Sequence, residues 1–140
     1  MTDRFFLDTN LFVYVYVDGD KEKHKIVSQL LGKMLIDSDV FISTQVLSEF
    51  YASLAKYKRT HEEIIGFINE ITQAANVRSV SLPTVEQALR LKGKYGYSYW
   101  DSLILASALE CGCALLFSED MQSNQIIEGT LRIRNPFTVV

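Results

Sequence analysis

A chain of 140 residues, 48% hydrophobic and 22% charged, has the composition of a soluble globular protein and the length of one domain, expected to span 1–140. Its formal net charge of −3 excludes coating of nucleic acid by overall positive charge, so such a partner would need local basic groups or bound cations. No apolar run approaches the ~20 residues that span a bilayer, and Thr2, Asp3 and Arg4 lead into a strand-like stretch instead of a signal peptide; both point to a cytoplasmic protein. Cys111 and Cys113, separated only by Gly112, are too close for an ordinary disulfide and lack zinc-site spacing, so they are expected to pack as small apolar residues.

In chain order, Arg4 to Leu7 reads as a buried strand ending at Asp8. "LFVYVYV", Leu11 to Val17, has strand propensity, but Thr9 or Asn10 ahead of it suits a helix cap, and the helix is preferred. After the turn Asp18 to Asp20, His24, Val27, Leu30, Leu31 and Met34 recur at helical spacing to about Ile36. Val40 to Ile42 is a second strand, and Ser43 or Thr44 then caps a helix carrying Val46, Leu47, Phe50 and Leu54. Thr60 and Glu63 form a capping box for the next helix. "VRSVSL" is strand-like, Leu82 to Thr84 open another helix, and "KGKYGYSYW" reads as a glycine-interrupted loop. A further helix runs from about Trp100 or Asp101 to Glu110, closed by Gly112, and "ALLF" and "LRIRN" supply the last strands. Strands alternating with helices predict an α/β fold with a mostly parallel sheet and helices on both faces.

Four carboxylates stand where solvation alone would not put them. Asp8 and Asp120 follow strands, at the end of the sheet where α/β proteins open their ligand crevice. Asp101 is aligned with Ile104, Leu105 and Ala108 on the buried stripe of its helix, and Glu49 lies inside a helix with small Ala52 and Ser53 about one turn on. Each has an ordinary alternative: Asp8, Asp101 and Asp120 as caps or turn residues, Glu49 as a solvated glutamate. Taken together they imply a cation, because converging carboxylates repel each other and lose hydration. Clustered oxygens suit Mg²⁺ or Mn²⁺, and phosphate bound there would undergo metal-assisted phosphodiester hydrolysis. Asn10 and Ser118, beside the acids in "DTN" and "SED", can orient a carboxylate, a water or a phosphate, or merely support turns. His24 and His61 are isolated and form no zinc set.

Two basic groups adjoin these acids. Arg90, Lys92 and Lys94 interleave with Tyr95, Tyr97, Tyr99 and Trp100 just before Asp101, and Lys56, Lys58 and Arg59 follow the Glu49 helix. Cations for a backbone and aromatics for stacking suit single-stranded nucleic acid, which makes Lys92, Lys94, Tyr97, Lys56 and Lys58 candidate RNA contacts; an ordinary solvated face is the alternative.

The stretches "FFLDTN", "STQVLSEFY", "YSYWDSLILASALECGC" and "LLFSEDMQSNQIIEGTLRIRNPF", in this order across nearly the whole chain, resemble the successive motifs of PIN-domain ribonucleases, especially bacterial VapC-type toxins. The resemblance implies a three-layer α/β/α sandwich, Mg²⁺- or Mn²⁺-dependent endoribonuclease activity on RNA, a homodimer, and inhibition by a cognate antitoxin. It assigns the acidic positions to Asp8, Glu49, Asp101 and Asp120 as metal ligands and the polar helpers to Asn10 and Ser118. Glu119 leaves two candidates for the last acid.

Two other functions fit parts of the pattern. Haloacid dehalogenase-like phosphatases also place an aspartate after a buried strand, but need a second one two places on, where this chain has Asn10. An inactive fold that only binds RNA or protein is the other, with Tyr14 and Tyr16 as a possible contact face.

Overall fold

A computed structural model describes residues 2–138. Among these, six strands form one sheet: β1 (Arg4–Leu7), β2 (Asp39–Ser43), β3 (Asn76–Arg78), β4 (Leu115–Phe117), β5 (Ile126–Ile127) and β6 (Leu131–Arg134). The helices are α1 (Thr9–Tyr16), α2 (Lys21–Asp37), α3 (Thr44–Lys56), α4 (His61–Ala74), α5 (Leu82–Tyr95) and α6 (Tyr99–Glu110). The strand order is β3-β2-β1-β4-β6-β5, parallel throughout except for β5 against β6, and the six helices flank it as a three-layer α/β/α sandwich. The α/β reading of the sequence therefore holds.

β1 occupies the centre because it is apolar on both faces: Phe6 and Leu7 are fully buried, as a strand covered by helices on both sides requires. It pairs Phe5 with Val40 of β2 on one side and with Leu115 of β4 on the other. The chain steps from β1 outward through β2 to β3, then returns to the opposite side of β1 with β4. The boundary between β1 and β4 is thus a topological switch point, where successive connections leave in opposite directions and a crevice opens at the carboxyl ends of the strands. Backbone bonds carry the ladder into it, with Asp8 N–H donating to Phe117 O (3.0 Å) and Ser118 N–H to Arg134 O (3.0 Å).

Several local expectations need correction. "LFVYVYV" is helical, as preferred: Asp8 caps α1 by accepting from Thr9 N–H, and Leu11 and Phe12 are buried. "KGKYGYSYW" is not a loop: α5 continues through Gly93 to Tyr95, supported by packing against α6, and only Gly96 to Ser98 connect the two. Of "VRSVSL" only Val77 and Arg78 are in a strand, which starts at Asn76, and beyond it Val80 N–H turns to the Thr44 hydroxyl. Two-residue β5 went unforeseen because it has no period of its own and is defined by pairing across a turn to β6. The Thr60/Glu63 capping box is present, and Cys111 and Cys113 are buried free thiols. Tyr14 and Tyr16 face inward, Tyr16 stacking on Phe67 at 4.4 Å and Tyr14 packing edge-on against Phe137.

Candidate functional site

Asp8 is held from both sides. Its Oδ1 accepts the Thr9 backbone N–H (2.7 Å) and its Oδ2 accepts the Ser118 hydroxyl (2.7 Å), with Asp8 only 5% exposed. It is a helix cap and a cavity acid at once, so the two readings of its sequence position were not exclusive. Burial dominates its titration and pushes the carboxyl up to about 7; the Ser118 and Thr9 bonds oppose this, and the Asp101 and Glu49 charges add to it.

The remaining acids come from three other segments. Glu49, on α3, accepts a hydrogen bond from the Thr9 hydroxyl (3.1 Å). Asp101 stands in the first turn of α6; Ser98 is the cap there, accepting Asp101 N–H (3.1 Å), which leaves the Asp101 carboxylate free of capping duty. Asp120 follows β4; its N–H donates to Ser118 Oγ (3.2 Å) and its Oδ2 accepts from Asn10 Nδ2 (2.9 Å). Burial raises the Glu49 and Asp101 carboxyls above the usual range, and the charge of Asp120 raises both further. Glu119 points elsewhere, pairing with Lys23 (2.6 Å). Of the two adjacent acids, Asp120 faces the cavity.

All four carboxylates line one cavity of about 350 Å³, together with Thr9, Asn10, Ser53 and Tyr57. Thr9, inside "DTN", is a site residue that its place in the sequence does not mark; its role appears only once α1 and α3 are packed together. The basic and aromatic candidates stand outside. Lys94 pairs with Glu128 (3.2 Å), the Tyr97 hydroxyl binds Gln125 and accepts Gln122 N–H, and Lys92, Lys56 and Lys58 are exposed away from the cavity lining.

Among the described residues no Lys, Arg or His lines the cavity to neutralise four acids, and the carboxylates offer only oxygen donors, as Mg²⁺ or Mn²⁺ prefers. Among the described residues no three such side chains close around a metal ion by themselves. Asp8, Glu49, Asp101 and Asp120 are the cavity carboxylates that could hold such an ion.

An α/β sandwich with an acid-lined cavity at its switch point defines a recognisable class of protein. A sequence profile of the PIN domain matches residues 5–126, and the chain belongs to that family. Its backbone is similar to the VapC20 toxin of Mycobacterium tuberculosis, described as cleaving the sarcin-ricin loop: TM-score 0.68, 21% identity, 83% of this chain and 91% of that one. It is also similar to a toxin–antitoxin complex from Klebsiella pneumoniae (0.70, 19%, 96% and 98%). VapBC2 of Rickettsia felis, bound to a DNA fragment of its promoter, gives 0.68 at 17% identity over 94% and 99%. At these identities the likeness is one of fold. No curated protein sequence matches the chain.

Proposed function

We propose that this protein is a Mg²⁺- or Mn²⁺-dependent endoribonuclease, a single PIN domain acting as the toxin of a toxin–antitoxin pair in the cytoplasm. The observation that carries this reading is the cavity lined by four carboxylates and no cationic side chain. A divalent ion held by Asp8, Glu49, Asp101 and Asp120 would supply charge neutralisation for the phosphate and make the attacking water more acidic.

The chain's own residues do the positioning. Thr9 ties the Asp8 backbone turn to Glu49, Ser118 ties Asp8 to the β4 end, and Asn10 holds Asp120, so three of the four acids are braced by side-chain hydrogen bonds, while Asp101 is placed by the start of α6. Hydrolysis adds water across one P–O bond: the attacking water gives up a proton and the leaving oxygen gains one. Glu49 and Asp101 line the cavity and in this proposal would be placed to receive the first. The phosphatase alternative loses support because Asn10, at the place of its second aspartate, engages Asp120 through its amide.

The similar structures are toxins or toxin–antitoxin complexes, which supports a cognate antitoxin as partner; a homodimer as the working form is part of the same proposal. No described helix is long and apolar enough to cross a membrane. The test is cleavage of total RNA by purified protein stripped of antitoxin. Cutting is expected with Mn²⁺ or Mg²⁺, abolished by excess EDTA and by Asp8→Asn or Asp101→Asn with the fold intact. Undiminished cleavage in EDTA would sink the metal mechanism.

A further inference from the structure

The stretch after β4 carries two adjacent acids, and of these only Asp120 lines the cavity. Residues 119–122 lie in no helix or strand, so side-chain partners decide which acid turns inward. Asp120 has Asn10 and Ser118. Glu119 has Lys23, which reaches across from the first turn of α2.

Lys23 is fixed at both ends. Its backbone N–H donates to the cap Asp20 (3.0 Å). Its Nζ donates to Glu119 Oε1 (2.6 Å) and to the Tyr14 hydroxyl (3.2 Å), and lies 5.0 Å from the ring centres of both Tyr14 and Phe137. Tyr14 forms part of the cavity wall, so the ion pair sits directly behind that wall. An ion pair in open solvent contributes little, but these side chains are only 29% and 25% exposed. Glu119 Oε2 is buried and has no hydrogen-bond partner among the described residues, and Lys23 is the only cation there that pairs with Glu119. A carboxylate with one oxygen already unsatisfied cannot remain in place once its counter-charge is removed. On the other side of the Tyr14 wall, one residue along the chain, is the cavity whose divalent ion attracts any acid within reach.

We propose that Lys23 is a positioning residue of the nuclease: by holding Glu119 behind the Tyr14 wall it keeps a fifth carboxylate out of the cavity, so that Asp120 alone of the adjacent pair meets the ion. The inference rests on the metal-dependent reading above. A fifth acid adds negative charge where the substrate phosphate must approach, and it competes with that phosphate for the ion. Freeing Glu119 therefore tightens ion binding and slows cleavage together. A general loosening of the fold gives a different result, since a loosened site loses both.

Metal-free protein is titrated with Mn²⁺ by calorimetry and the reloaded protein is assayed on RNA, in the parent, Lys23→Met, Lys23→Arg and the double variant Lys23→Met/Glu119→Gln. Methionine keeps an apolar stem against Tyr14 and Phe137 and removes the charge. Lys23→Met is expected to bind Mn²⁺ about tenfold more tightly and to lower kcat/KM about tenfold. Lys23→Arg, which keeps the ion pair, and the double variant, which has no charge to release, are expected to match the parent in both. Thermal melts check the fold; should Lys23→Met unfold, Lys23→Gln, which retains a donor to Glu119 but no charge, gives the same comparison. Unchanged or weaker Mn²⁺ binding in the uncharged variant overturns the proposal and leaves the metal reading standing. If cleavage then still falls and Glu119→Gln does not restore it, Lys23 is a contact of the substrate phosphate instead. A double variant that keeps the tight binding and slow cleavage of Lys23→Met also overturns it, because Glu119 is then not the acid released. A parent that takes up no Mn²⁺ removes the metal reading and the proposal with it.

Discussion

Asp8 contributes to stability with a sign opposite to that of a surface carboxylate. Its carboxyl titrates near 3.8 in the unfolded chain and is raised to about 7 in the folded one. Between those values the folded state binds more protons than the unfolded, so stability falls as pH rises through this window. The favourable contribution is complete below the unfolded value and gone above the folded one. In metal-free protein, Asp8→Asn removes the buried charge at the loss of one good acceptor to Thr9 or Ser118. It is expected to be more stable than the parent by roughly 1–3 kcal/mol near pH 8, with the difference vanishing near pH 4. Denaturant melts of both proteins in EDTA at several pH values check this; an Asp8→Asn protein less stable at pH 8 would contradict it. The residue's location after a buried strand was legible in "FFLDTN", but its titration was not, because burial and the approach of Asp101 and Glu49 belong to the folded chain.

Among the helices, the α5–α6 junction bears most directly on the site. Gly96 closes α5 with φ +80, a left-handed conformation open to glycine, and its N–H returns to Lys92 O. Two residues later Ser98 caps α6 and fixes where Asp101 begins. Gly96→Ala is expected to cost about 1–2 kcal/mol from the αL strain and to lower cleavage, because the strain displaces the start of α6. Thr60→Ala offers the contrast: it removes the α4 capping box for about 1 kcal/mol, and α4 contributes nothing to the cavity lining, so cleavage should be unchanged. Thermal melts paired with cleavage rates separate the two; equal activity in both variants would refute the coupling of Gly96 to the site. The capping box could be read from the sequence because its partners are three residues apart. The extent of α5 could not: Gly93 weakens the helix by about 1 kcal/mol relative to alanine, and packing against α6 offsets it.

For the whole molecule, a cation that binds only the assembled cavity must stabilise the fold. At a free Mn²⁺ concentration about 100 times Kd the gain is about 2.7 kcal/mol, seen as a rise in Tm. The rise should be lost in Asp8→Asn and in Asp101→Asn, and be smaller near pH 5 than near pH 8, since protons compete for Asp8. Calorimetry with and without Mn²⁺ checks it, and an equal Tm rise in Asp101→Asn would place the ion elsewhere.

What the sequence determined by itself was local: the alternation of strands and helices, the Thr60 cap, and four acids placed at strand ends or within helices. Periodicity and capping act over a few residues, so they survive in one dimension. The tertiary structure alone decided the partners. Asn10 and Asp120, like Asp8 and Ser118, are 110 residues apart, and nothing within reach of either signals the other. Glu119 and Asp120 are neighbours that look alike in the chain; Lys23 of α2 takes the first and Asn10 the second. The hold of Lys23 on Glu119 likewise exists only where α2 meets the end of β4, since a contact between two elements is a property of their packing and of neither sequence alone.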